Sequence, residues 1–162
     1  MNKEFADYYF NNTITENEIA KIKEMIALKY RDNCAKDKGV IGNIFGSWCQ
    51  FHNINRSYFT VGGQYEIDLS ISFPVFRVLY AGNYQNMSFE TALKVVVQMA
   101  PSYEQACDFL FIVDKKWLKD MDAKRLACRD VLQDMYQRNL KYIYRYSFFV
   151  CEMKKRGYIF RY

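Results

Sequence analysis

The chain has 162 residues, of which 51% are hydrophobic and 25% are charged, with a formal net charge of +5. This composition is typical of a globular protein and excludes a disordered chain, and two prolines and seven glycines leave no room for a flexible linker. The length predicts a single domain over residues 1–162.

Cysteine usage and hydropathy bear on the compartment. The five cysteines are odd in number and widely scattered, which favours reduced thiols over a secreted disulfide framework. No apolar run approaches the roughly 18 residues that a membrane span needs, and the N-terminus lacks the pattern of a secretory signal. We therefore expect a cytoplasmic protein with no membrane contact. Its richness in Lys, Asn, Ile, Tyr and Phe is typical of AT-rich genomes, so a phage, viral or mobile-element origin is a hypothesis.

The first predicted element is a helix over residues 16–35. Thr15 and Glu18 have the spacing of a capping box, in which both side chains bond backbone N–H groups at the helix start. Apolar residues then recur at three-and-four spacing, which is the period of a helix with one buried face. Residues 39–57 mix glycine, asparagine and aromatics without a steady period, and they are predicted to form a loop whose aromatics reach the core.

Strands are predicted next. Residues 65–73 alternate apolar and polar side chains without a break, which is the pattern of a strand with one buried face. The Gly62-Gly63 pair before it indicates a turn, so residues 58–61 would be a hairpin partner, and residues 75–80 offer a third strand beyond Pro74. The sequence thus predicts a three-stranded antiparallel meander around residues 58–80.

Helices follow. Ser88 is a predicted cap for a helix to about Met99, and Pro101 ends it. Ser102 is a candidate cap for the next element, whose end, residues 109–113, is fully apolar and fits a buried strand or a buried helix. Helical spacing returns over residues 123–137. The predicted fold class is therefore α+β, helix-rich, with the small meander.

The C-terminal segment, residues 138–162, carries all the net positive charge. It has one acid, Glu152, and a net charge of +6, so the residues before it sum to −1. Cations interleaved with aromatics suit a phosphate backbone with exposed bases, and they also suit a core element with a basic outer face. The predicted binding residues are the seven cations of this segment: Arg138, Lys141, Arg145, Lys154, Lys155, Arg156 and Arg161.

The conformation of this segment is open between two interpretations. Period-two spacing from Tyr142 to Val150 fits a strand that returns after a turn at Gly157. Spacing near 3.6, with cations in the last turn before Gly157, fits a helix with a glycine cap. The shortage of β-branched residues favours the helix.

Metal and nucleophile chemistry has little support in the sequence. Cys49 and His52 have the spacing of half a zinc site, but no second pair completes the four ligands, so an ordinary buried cysteine and a loop histidine are favoured. His52 is the only histidine, which limits Cys–His or Ser–His chemistry. Phosphate-loop glycine signatures are absent as well. We expect no metal and no cofactor.

A stretch on the predicted strand resembles a nuclease core. Glu66 and Asp68 would share its solvent face, and the string GGQYEIDLSI is similar to the second core strand of PD-(D/E)xK nucleases. The resemblance implies that these carboxylates bind a divalent metal ion. It also implies a core in the order helix, three strands, helix and a further strand. In that family the next strand supplies E-x-K, whereas residues 75–80 contain neither residue; Asp114-x-Lys116 matches the pattern but lies beyond an intervening helix.

The sequence favours a small soluble binding or accessory protein over an enzyme. We expect a polyanionic partner, which is a nucleic acid, a nucleoprotein or an acidic protein surface, at the basic C-terminal segment. The alternatives are a divalent-metal nuclease-like protein and a structural subunit of a larger assembly. The oligomeric state stays open.

Overall fold

A computed structural model describes residues 14–31, 39–54 and 71–160, and this part of the chain is helical with no strand. The α+β prediction is therefore wrong. Residues 58–70, with the first predicted strand, most of the second, and Glu66 and Asp68, lie outside the described residues. The last three residues of the second predicted strand, 71–73, are described and form no strand, and Phe73 begins a helix. The helices are α1 (Glu16–Lys29), α2 (Gly39–Phe51), α3 (Phe73–Tyr80), α4 (Phe89–Met99), α5 (Tyr103–Val113), α6 (Ala123–Gln137) and α7 (Tyr142–Lys155).

Helix α1 begins at the predicted capping box. The Thr15 hydroxyl accepts a hydrogen bond from the Glu18 amide, and the Glu18 carboxylate accepts one from the Thr15 amide, both at 3.2 Å. Ile22 and Ile26 point into the core. The helix ends at Lys29, earlier than predicted, and residues 32–38 are not described.

Helix α2 replaces the predicted loop. Seven of its side chains or glycines are buried, and the apolar ones recur at three-and-four spacing opposite a polar face. The buried apolar residues are Ile41, Ile44, Phe45, Trp48 and Cys49, and the polar face carries Asn43, Ser47 and Gln50. Trp48 lies 5.1 Å from Phe109 of α5 between ring centroids, and Phe45 lies 5.3 Å from Phe76 of α3. Trp48 also donates a hydrogen bond of 2.8 Å to the Gln105 side chain. The loop prediction is wrong because it rests on the glycines Gly39, Gly42 and Gly46, although the apolar residues between and after them have a helical period.

Helix α3 replaces the third predicted strand. Phe76 and Leu79 are buried three residues apart, whereas Arg77 and Val78 are exposed, and this is a helical period. Pro74 stands in the first turn, where no intrahelical N–H bond is needed. Residues 75–80 and residues 109–113 are both helical, so the strand order implied by the nuclease resemblance is contradicted at these two places.

Helices α4 and α5 begin at their predicted caps. Ser88 accepts a hydrogen bond from the Thr91 amide at 3.1 Å, and Ser102 accepts one from the Gln105 amide at 3.2 Å. Helix α6 has the predicted bounds. Its N-cap is Asp122, whose side chain accepts a hydrogen bond from the Arg125 amide at 2.9 Å. These local signals were readable because capping depends on neighbours in sequence alone.

Helix α7 settles the open alternative in favour of a helix over residues 142–155. Gly157 has a φ of 91°, and the Gly157 and Tyr158 amides donate to the carbonyls of Lys154 and Met153 at 3.0 and 2.9 Å. This is a Schellman cap, which needs the left-handed conformation that glycine adopts at low cost.

The helices pack around α4 and α5. Helix α7 lies against α4 and α6, α5 contacts α4, α6 and α2, and α2 contacts α3. Helix α1 is tied to α5 by Asp108, which is fully buried and accepts from Lys29 and from the Tyr30 hydroxyl, each at 2.8 Å. Across the described ranges, no helix combines the length and the apolarity that crossing a bilayer requires.

Candidate polyanion-binding face

Helix α7 divides the C-terminal segment into an inner and an outer face. Tyr146, Phe149, Val150 and Met153 are buried against the other helices. On the opposite side, side chains at three-and-four spacing are exposed or half-exposed, and we call them the outer stripe. The outer stripe consists of Lys141, Tyr144, Phe148, Cys151 and Lys155.

Two aromatic rings of the outer stripe are accessible. Tyr144 is 59% exposed, and Phe148, one turn further on, is half-buried. The Arg138 guanidinium lies over the Phe148 ring, 5.3 Å from its centroid. A cation above an aromatic face adds an electrostatic attraction to the packing, so Arg138 and Phe148 form one unit at the surface.

Three of the exposed cations carry acidic neighbours. Arg138 lies 3.0 Å from Asp134, and Lys155 lies 2.9 Å from Glu152. Arg156 lies 4.0 Å from Asp130. Lys141 and Lys154 are exposed and make no ion pair with another described residue. Acidic neighbours therefore offset part of the segment's positive charge, but not at these two lysines.

Arg145 does not belong to this surface. It is only 5% exposed, and its Nη1 donates to the Ala100 carbonyl oxygen at 2.9 Å. Its guanidinium lies between two aromatic rings, 3.8 Å from the Tyr142 centroid and 4.7 Å from the Tyr136 centroid. Arg161, the last cation of the predicted set, lies outside the described residues.

Arg145 is part of a polar cluster that caps the carboxyl end of α4. The Tyr136 hydroxyl also donates to the Ala100 carbonyl, at 2.8 Å, and His52 Nε2 bonds the Met99 carbonyl at 2.7 Å. The last carbonyls of a helix lack intrahelical partners, and a cation there also complements the helix dipole. Sequence reasoning missed this cluster; Pro101 indicates that α4 ends, but not which residues reach its last carbonyls.

His52 joins three helices at this cluster. Its ring meets the Tyr142 ring edge-on at 4.4 Å, and it follows α2 while bonding the end of α4. Burial lowers the pKa of His52, and the charge of Arg145 lowers it further against the opposing effect of the Met99 carbonyl. His52 is therefore uncharged at neutral pH, and its Nε2–H donates the hydrogen bond to the Met99 carbonyl. Its contacts are with other parts of the fold.

Cys49 is buried one turn before His52, inside α2. Within the residues that the structure describes, no group of three or more His, Cys, Asp or Glu side chains could hold a metal ion. The outer side of α7 brings exposed cations and accessible rings together. Comparison with protein-family models, curated proteins and solved structures finds no match for this chain.

Proposed function

We propose that the protein binds single-stranded nucleic acid through the outer stripe of α7. The observation that carries this proposal is Tyr144, an exposed ring placed on one helix face between Lys141 and the Arg138–Phe148 unit. Exposed rings accept bases by stacking while neighbouring cations follow the phosphates, and this combination needs no sequence preference.

The exposure of Tyr144 supports a binding role for its ring. A ring that is 59% exposed gains little from burial in the fold, whereas Phe149 on the opposite face is fully buried. The two aromatics therefore differ in what they contribute. Phe149 stabilises the domain, and Tyr144 is available to a partner.

The ion pairs of the segment are compatible with phosphate binding. Exposed pairs such as Lys155–Glu152 contribute at most about 1 kcal/mol, so phosphate oxygens can replace the carboxylate. Lys141 and Lys154 form no ion pair with another described residue, so a phosphate would displace no described carboxylate from them. We expect these two lysines, Lys141 on the outer stripe and Lys154 beside its last residue, to give most of the electrostatic contribution.

An acidic protein partner would use the same cations but not the stacking. For this reason the test uses labelled single-stranded DNA and RNA, the matching duplexes and an acidic peptide, each titrated by fluorescence anisotropy. We expect tighter binding of the single strands, weakened by Tyr144→Ala. Equal binding of the acidic peptide, unaffected by Tyr144→Ala, would contradict the proposal and favour a protein partner.

A further inference from the structure

A second cationic feature lies away from the outer stripe, at the beginning of α1. A cleft of about 380 Å³ opens between α1 and the connection from α5 to α6. Its cations are Lys23, Lys115 and Lys119, and its apolar lining includes Ile19, Ile112 and Trp117. We propose that this cleft binds a small organic phosphate, in which a phosphate monoester is joined to an apolar or aromatic group. The proposal does not depend on the function proposed for α7.

The backbone of the connection is strained where it meets the cleft. Leu118 and Asp120 have φ values of 77° and 56°, and they flank Lys119. Left-handed backbone is uncommon for residues other than glycine and is a true outlier for a bulky side chain, so it persists only where the surrounding structure enforces it. Strain of this kind concentrates at binding and catalytic sites.

An ion-pair network holds the strained connection in place. Arg125 binds Asp114 through two parallel hydrogen bonds of 2.7 and 2.9 Å, and it also binds Asp122 at 2.8 Å. Trp117 is 1% exposed, which anchors the connection to the core. The position of Lys119 is therefore fixed before any ligand arrives, and a preformed site avoids the ordering cost that binding otherwise incurs.

The charges of the cleft favour a dianion. Three lysines face Glu16 and Asp120, which leaves an excess of one positive charge. Lys119 pairs with Glu16, whose side chain is 80% exposed, and such an exposed pair is weak enough for a phosphate to replace the carboxylate. Lys23 and Lys115 make no ion pair with a residue in the described part of the chain.

The apolar side of the cleft favours an organic phosphate over the free ion. Ile19 and Ile112, both half-buried, offer no charge to a phosphate but suit a hydrocarbon or an aromatic ring. The volume lies in the lower part of the range of roughly 300–1,000 Å³ typical of small-molecule sites. A nucleoside monophosphate and a short alkyl phosphate share this chemistry, and they represent a nucleotide and a lipid-like source.

Calorimetric titration of the full chain with AMP, hexyl phosphate and inorganic phosphate tests the site. We expect at least one organic phosphate to bind more tightly than inorganic phosphate. Lys23→Gln and Lys115→Gln should each weaken that binding by about threefold to tenfold, because each removes one charge-assisted contact. Glu16→Gln should leave binding equal or tighter, because it removes the competing carboxylate.

Neighbouring lysines supply matched controls. Lys21→Gln on α1 and Lys116→Gln in the connection remove the same charge outside the cleft lining, and we expect unchanged affinity. Circular dichroism confirms that each variant is folded. Binding of neither organic phosphate, or equal losses in the cleft variants and their controls, would overturn the proposal.

Discussion

The guanidinium of Arg145 and the carbonyl oxygen of Ala100 are joined by a hydrogen bond of 2.9 Å in the interior. This bond connects the first turn of α7 with the end of α4, and the Tyr136 hydroxyl shares the same acceptor. Arg145, a cation in the middle of the basic segment, is thus a structural residue. The basic segment is in part a core element, and the residues that can meet a partner lie on its exposed side.

Arg145→Ala should destabilise the fold strongly. The change removes a buried charge-assisted hydrogen bond and two ring contacts, and it opens a cavity, so we expect a loss of about 2–4 kcal/mol in the free energy of unfolding. Urea denaturation measures it. Lys141→Ala, an exposed cation four residues earlier, is the control and should stay within about 0.5 kcal/mol of wild type. Similar losses for both variants would contradict the structural role.

Tyr144 and Phe149 should separate binding from stability. Phe149→Ala empties a fully buried position and should cost about 3–5 kcal/mol of stability. Tyr144→Ala should leave the unfolding midpoint nearly unchanged and weaken single-stranded binding by about 1–3 kcal/mol, which is the usual value of one stacked base. Urea denaturation and fluorescence anisotropy are measured on the same samples. A large stability loss at Tyr144 with unchanged affinity would show that its ring is not a stacking platform.

His52 should make stability depend on pH. Its pKa is lowered in the folded state, so the unfolded chain binds a proton more readily and, as the pH falls below about 6.5, unfolding becomes easier. We expect wild type to lose stability between about pH 7 and about pH 5.5, and His52→Gln to lose less. Urea denaturation at both pH values checks this. Identical losses in the two proteins would mean that other groups cause the dependence.

Asp108→Ala should loosen α1 from α5. Asp108 is fully buried and accepts from Lys29 and Tyr30, so its loss leaves the Tyr30 hydroxyl without this acceptor and leaves Lys29 with Glu104. Removing one partner of a buried charge pair costs about 3–5 kcal/mol, and the half-exposed Lys29 places the expectation at the lower end. Thermal unfolding measures the change. Asp134→Ala, which removes an exposed carboxylate on α6, is the control.

The parts of the fold that sequence predicted are those decided by neighbours along the chain. The capping box of Thr15, the serine caps of α4 and α5, and the glycine cap of α7 each depend on a few adjacent residues. Helix α2 has no such capping signal, and its three glycines obscure the helical spacing of its buried apolar residues. Helix α3 was assigned to a strand by its place after an alternating stretch, although Phe76 and Leu79 already have helical spacing.

The candidate polyanion-binding face was likewise predicted only in part. The sequence located the basic and aromatic segment, but charge counting does not tell a buried cation from an exposed one. Arg145 and Lys141 look equivalent in sequence, and only the packing of α7 on α4 places one inside and the other outside. Of the acidic partners on α6, Asp130 reaches Arg156 across the fold and could not be predicted. Asp134 lies four residues before Arg138, and this spacing alone indicates their ion pair.

The salt dependence of single-stranded binding tests the central claim most directly. Each phosphate contact on a single strand adds about 0.7 to the slope of log affinity against log salt concentration. We expect Lys141→Gln combined with Lys154→Gln to weaken binding and to flatten the slope by about 1.4, with the fold intact. Lys21→Gln combined with Lys116→Gln, which removes the same charge outside α7, should change the slope little. Affinity and slope equal to wild type at every salt concentration in the α7 variant would contradict the account.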